Sequence, residues 1–332
     1  MFRSKSGTGS KISTEMSRAR PYRSKLNGAA ATSEVVLSIE MTSLPVVGGV
    51  VDAPVAGDRR DGAQFDRRVG RRELVDAVEE ELGLAGFELL LADSHGRLEE
   101  EIRRLRVFGD RRVDGIVLVP AQHEWPVDAL RTLPSGLAIV QVDRWTDKRV
   151  ADFVGVDNEI GLRLVLEHLR ERGVTSVAYA GADDVTSSGI ERWEMFHRLA
   201  AQTRLRAVEG FRRDFSVASG TAAADAFLAR RELPDAIVAG DDLIAVGLLA
   251  RLREHGVDVP EQLLVTGFDG SELSTVCWPT LTTVVQPVQA IARDAVAVLV
   301  ERMRGEEGPF RRNLVAPTLR LGASTRRDAG RA

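Results

Sequence analysis

The chain has 332 residues, of which 44% are hydrophobic and 28% charged, with a formal net charge of -4. This composition excludes fibrous, disordered and membrane classes for most of the chain, gives no bulk attraction to nucleic acid, and at this length points to two domains. A single cysteine, Cys277, rules out an intramolecular disulfide framework or a thiolate cluster for zinc and suits a reducing cytoplasm.

Met1 is followed by no apolar h-region, and no stretch approaches 18 apolar residues, so neither a signal peptide nor a spanning helix is expected. Residues 1–45 are the one locally basic segment, carrying Arg3, Lys5, Lys11, Arg18, Arg20, Arg23 and Lys25 among Ser, Gly and Ala. Without helical periodicity they read as a poorly structured tail or a degenerate DNA-binding segment.

From Val46 short apolar runs alternate with amphipathic segments, the pattern of βα units and a mainly parallel sheet. Strands are predicted at residues 46–51, 87–91, 115–119, 137–142, 177–180, 236–239, 263–267 and 282–285. Helical stripes lie between them at Leu98, Ile102 and Leu105, at Leu162, Val165, Leu166 and Leu169, and at Ala245, Leu248, Leu249 and Leu252. Gly109, Gly173 and Gly256 sit where these stripes stop, as helix C-terminal glycines do. A last helix is predicted over 288–303.

Ligands of open parallel sheets bind outside the carboxyl ends of the strands, and a carboxylate follows five of these strands: Asp52, Asp93, Asp143, Asp241 and Asp269. Carboxylates with an arginine suit a polyhydroxylated ligand, because each accepts hydroxyl hydrogens while a guanidinium donates. Any one of these Asp can instead cap the next helix. Trp145, Trp193, Phe215 and Trp278 fall near the same ends and offer flat faces to a ring, or simply pack. No phosphate loop, dinucleotide fingerprint, nucleophile elbow or H-E-x-x-H occurs, so binding is favoured over catalysis. His95 is the best candidate base and equally a solvated loop residue.

Several segments in order resemble the LacI/GalR family. They are Arg111-Arg112-Val113-Asp114-Gly115-Ile116-Val117-Leu118, Val142-Asp143-Arg144, Val156-Asp157-Asn158-Glu159-Ile160-Gly161, Pro234 to Ala239, Gly267-Phe268-Asp269, Pro279 to Pro287, and Ser324-Thr325-Arg326-Arg327. The resemblance implies an α/β fold of two doubly wound parallel-sheet lobes, periplasmic-binding-protein-like (type I), with a ligand in the cleft and a homodimer. The implied partition is 46–153 plus 288–314 for one lobe and 154–287 plus 315–328 for the other.

Carried over residue by residue, effector contacts fall on Asp143, Arg192, Phe215, Asp241, Asp269 and Gln286, with Asp93 and Trp193 added from their positions at strand ends. The implied function is a cytoplasmic transcriptional regulator that senses a small effector of the sugar class and couples it to operator DNA, with no enzyme activity, cofactor, metal or membrane partner. Asp241 stands where the family usually carries an amide, which favours hydroxyl-rich or cationic ligands over anions. The family's N-terminal helix-turn-helix pattern is not recognisable, and the alternative is a stand-alone sugar sensor of the same fold.

Overall fold

The computed structural model describes residues 34–39, 69–124, 133–146 and 150–327 of the protein, all within one compact unit spanning Thr32–Ala332. Runs such as Gly115–Leu118 and Ala236–Ala239 are buried at every position, so the sheet they form needs cover on both faces, which crossover helices supply. Two such sheets result. The first has the order β2 (Glu88–Asp93), β1 (Glu34–Ile39), β3 (Gly115–Leu118), β4 (Ala138–Val142), β5 (Asp152–Val156) and β12 (Arg312–Val315), with every pair parallel.

The second has the order β7 (Arg206–Ala207), β6 (Ser176–Ala182), β9 (Ala236–Ala239), β10 (Leu264–Asp269), β11 (Thr282–Val285) and β13 (Thr318–Arg320). A short β8 (Phe211–Arg213) also pairs with β6, and the β11–β13 pair is antiparallel. The chain passes between the sheets three times, after β5, after β11 and between β12 and β13.

Helices α1 (Val69–Ala85) and α8 (Val288–Met303) cover one face of the first sheet through Leu74, Val78, Leu82, Ile291 and Leu299, while α2 (Leu98–Arg111) places Leu105 and Phe108 on the other. On the second sheet α3 (Asn158–Glu171) and α4 (Ser187–Gln202) cover one face, and α5 (Val217–Leu228) and α6 (Asp242–Glu254) the other. A one-turn α7 (Leu273–Val276) follows β10.

The first strand differs from the expectation. It is Glu34–Ile39, inside the segment read as a tail, and it pairs with both β2 and β3. The run expected as a strand, 46–51, and Asp52 lie outside the described residues. Gly109 is a second correction: it lies within α2, where a Cβ would come 2.9 Å from Pro134, and the helix ends instead on Arg112 with φ 56°. Gly173 and Gly256 do take the left-handed conformation, at φ 78° and 73°.

Strand order reverses between β1 and β3 in one sheet and between β6 and β9 in the other. The crevices outside the carboxyl ends of these strands are where such sheets take ligands.

Candidate functional site

A cavity of about 330 Å³ opens at the carboxyl ends of both sheets, lined by loops after β2, β3 and β4 on one side and after β6, β8, β9 and β10 on the other. That volume lies at the lower end of the range for small-molecule sites. Asp143, Arg192, Phe215, Asp241, Asp269 and Gln286 all line it, although they come from six different chain segments.

Arg192 is the centre of the second-sheet wall. Thr186 caps α4 by accepting the Gly189 amide, which sets the helix so that Arg192, in its second turn, points inward and is only 3% exposed. Its Nε donates to Asn158 Oδ1 at 2.9 Å and its Nη1 donates to the Gly240 carbonyl at 2.7 Å. Nη1 also lies 3.5 Å from Asp269 Oδ1, and the flat guanidinium sits 3.7 Å from the centre of the Phe268 ring. Asn158 reaches this arginine because α3 packs tightly on β10: a Cβ on Gly161 would come 2.8 Å from the Phe268 ring.

Two adjacent aspartates follow β9. Asp241 caps α6, its Oδ1 accepting the Ile244 amide at 2.7 Å, and is 3% exposed. Asp242, also on the wall, meets a full set of donors: Oδ2 accepts the Ser271 amide at 2.7 Å and the Ser271 hydroxyl at 2.9 Å, and Oδ1 accepts the Thr283 hydroxyl at 2.5 Å. Asp269 Oδ1 accepts from Gln286 Nε2 at 2.7 Å.

Burial raises all three carboxyls. It holds Asp241 well above the ordinary range, with Asp269 adding repulsion, and pushes Asp242 up to about 7. Asp269 is raised by burial against the opposing pull of Arg192. Asp143 and Asp269 carry φ of 64° and 108°, conformations uncommon outside glycine and concentrated at functional sites.

The first-sheet wall is more apolar, with Val119, Ala121 and Val142 beside Asp143 and Arg144. Arg144 is 6% exposed, its Nε lies 3.6 Å from Asp143, and its guanidinium faces the Phe215 ring across the cleft at 5.7 Å. Sequence reasoning passed over Arg144, Asp242 and Ser271, although Arg144 and Asp242 directly follow flagged aspartates.

Two expected site residues do not line the cavity. Asp93 lies behind His95, accepting its amide at 2.8 Å and facing its Nδ1 at 2.9 Å, so the imidazole is what reaches the cavity. Trp193 follows Arg192 and is turned about 100° around the helix, onto Tyr179 and His197, with Arg212 4.8 Å from its ring. At the cleft edge, the Trp145 amide donates to Ser187 Oγ at 2.9 Å and its indole donates to Glu191 at 3.1 Å. Among the described residues no group of three His, Cys, Asp or Glu could hold a metal, and no helix is long and apolar enough to cross a membrane.

Residues 166–325 match a periplasmic binding protein-like domain. The chain is 30% identical over 244 residues to the HTH-type transcriptional repressor PurR of Aliivibrio fischeri (strain MJ11), covering 71% of each protein. Among solved structures, the complex of the transcriptional regulator CelR with cellobiose superposes with a TM-score of 0.72 at 24% identity, covering 88% of this chain and 85% of that one. The lac repressor dimer bound to operator and the anti-inducer ONPF gives 0.73 at 17% identity, covering 89% and 82%. Conserved length, two-lobed α/β architecture and sequence identity agree, and the chain belongs to the LacI/GalR family of transcriptional regulators, with a periplasmic-binding-protein-like core.

Proposed function

We propose that this protein is a cytoplasmic, sugar-responsive transcriptional regulator that binds a small polyhydroxylated effector between its lobes and couples it to operator DNA. The observation that carries the reading is the convergence of Arg192, Asp241, Asp269 and Asp143 on one cavity from separate loops. Carboxylates accept hydroxyl hydrogens, the guanidinium donates, and Phe215 offers a ring face, a combination suited to a sugar. One structural neighbour was solved with cellobiose and another as a dimer on operator.

Effector binding would shift the balance between lobe arrangements, with a coupling of about 1–3 kcal/mol to DNA affinity. A homodimer is part of the reading. Val276 and Trp278 are 72% and 75% exposed beside one another, an apolar pair suited to a second copy.

The test is differential scanning fluorimetry of the whole chain against neutral hexoses, pentoses and polyols, with sedimentation velocity on the same sample. A sugar at a hundred times its dissociation constant stabilises by about 2.7 kcal/mol, a rise of several degrees. No shift from any polyol would overturn the sugar reading, and a monomer at all concentrations would remove the dimer.

A further inference from the structure

The charges on the cavity wall do not balance. Asp143 has Arg144 at 3.6 Å and Asp269 has Arg192 at 3.5 Å, while both oxygens of Asp242 are filled by Ser271 and Thr283. Of the two buried carboxylates on that wall, Asp241 and Asp242, Asp241 is the one without a full set of donors. It is 3% exposed and lines the cavity, its Oδ1 is taken by the Ile244 amide, and among the described residues no donor reaches Oδ2 and no cation lies within ion-pair distance.

A carboxylate buried to this degree is costly to ionise without a counter-charge. A hydroxyl from a neutral sugar would give Asp241 a hydrogen bond but no counter-charge. An ammonium group supplies three donors and the charge together.

We infer that the ligand of this cleft is an amine-bearing polyol, an amino sugar in its charged form, with its ammonium group seated on Asp241 and its hydroxyls on the Arg192–Asp269 pair; this rests on the sugar-binding reading of the same cavity. Size agrees, since a cavity of about 330 Å³ suits one or two sugar rings. Burial and the neighbouring Asp269 and Asp242 raise the Asp241 carboxyl well above the usual carboxylate range, opposed by Arg192. A cation seated there would pull that carboxyl back down, so uptake of the amine is expected to release protons.

The experiment is isothermal titration of the whole chain near pH 6, where a sugar amine is charged, with glucose, glucosamine and N-acetylglucosamine and their galacto and manno counterparts. Wild type is compared with Asp241→Asn, which keeps the helix-capping oxygen, and each titration is repeated in two buffers of different ionisation heat. The expected result is one amino sugar binding about tenfold or more tighter than both its neutral parent and its N-acetyl form, with proton release, and a ratio near one in Asp241→Asn.

A neutral parent that binds wild type as well as its amine overturns the inference and leaves the sugar reading standing. A preference that survives in Asp241→Asn overturns the role of Asp241. If that variant binds no hexose, the pH dependence in wild type decides: a preference for the amine that fades as the sugar amine loses its charge supports the inference, and one that persists unchanged overturns it. No binding of any of these hexoses to wild type overturns the inference, and the sugar reading falls with it if pentoses and polyols also give no shift in fluorimetry.

Discussion

On the wall contributed by the second sheet, Arg192, Asp242 and Asp269 are each fixed by two or more protein contacts, with Phe268 packed beneath the arginine. The wall from the first sheet offers Val119, Ala121 and Val142, with Asp143, Arg144, His95 and Glu73 as polar groups beside them. Polar groups held in place before a ligand arrives do not have to be ordered when it binds, so the second wall is the one built to recognise. The apolar wall is suited to close over what the other has captured. On the proposed function, specificity would reside in the second lobe and closure in the first.

The largest expected effect breaks the scaffold of the first lobe. Asp152, 1% exposed in β5, accepts Arg302 Nε and Nη2 at 2.8 and 2.9 Å and the Arg311 amide at 2.8 Å. Asp152→Ala leaves the largely covered Arg302 without its carboxylate, with the Glu306 and Pro309 carbonyls as its remaining acceptors, and is expected to cost about 3 kcal/mol, read as a fall in urea midpoint at unchanged slope. A loss under about 1 kcal/mol would show that the pair does not anchor β5 to α8.

A smaller effect separates the lobes by pH. Hydrogen bonds from Arg302 and the Arg311 amide outweigh burial and lower the Asp152 carboxyl, so its contribution is present above the ordinary carboxylate pKa and is lost as pH falls through its folded value. Asp242 has the opposite sign. With its carboxyl pushed up to about 7, the folded state binds more protons than the unfolded one between about pH 4 and 7, and stability falls as pH rises through that window. Asp242→Asn is expected to flatten this slope in denaturation midpoints taken from pH 4 to 7.5. An unchanged slope would mean that Asp242 is ionised throughout.

Much of this was legible in the chain because the signals were local. β9, β11 and α8 fall on their predicted residues, since apolar runs and helical stripes there meet no competing pattern. The first strand was not legible: Glu34–Ile39 sits in a segment without clear patterning, and what marks it is pairing with β2 and β3, a long-range fact.

α5 was missed for another reason. Its Ala-, Ser- and Gly-rich sequence has no stripe, because it packs against α6 so closely that a Cβ on Gly220 would strike the Ile244 carbonyl. In the site, strand ends announced Asp143, Asp241 and Asp269, but which of two adjacent residues faces the cavity depends on helix phase. That phase put Arg192 in and Trp193 out.

The most direct test of a recognising wall and a closing wall is isothermal titration of the sugar found by fluorimetry on Arg192→Ala and Arg144→Ala side by side. Charged hydrogen bonds of the Arg192 kind are worth about 1.5–3 kcal/mol, so Arg192→Ala should lose roughly 10- to 150-fold in affinity and Arg144→Ala less than about tenfold. Equal losses, or a larger one at Arg144, would contradict the assignment of recognition to the second lobe.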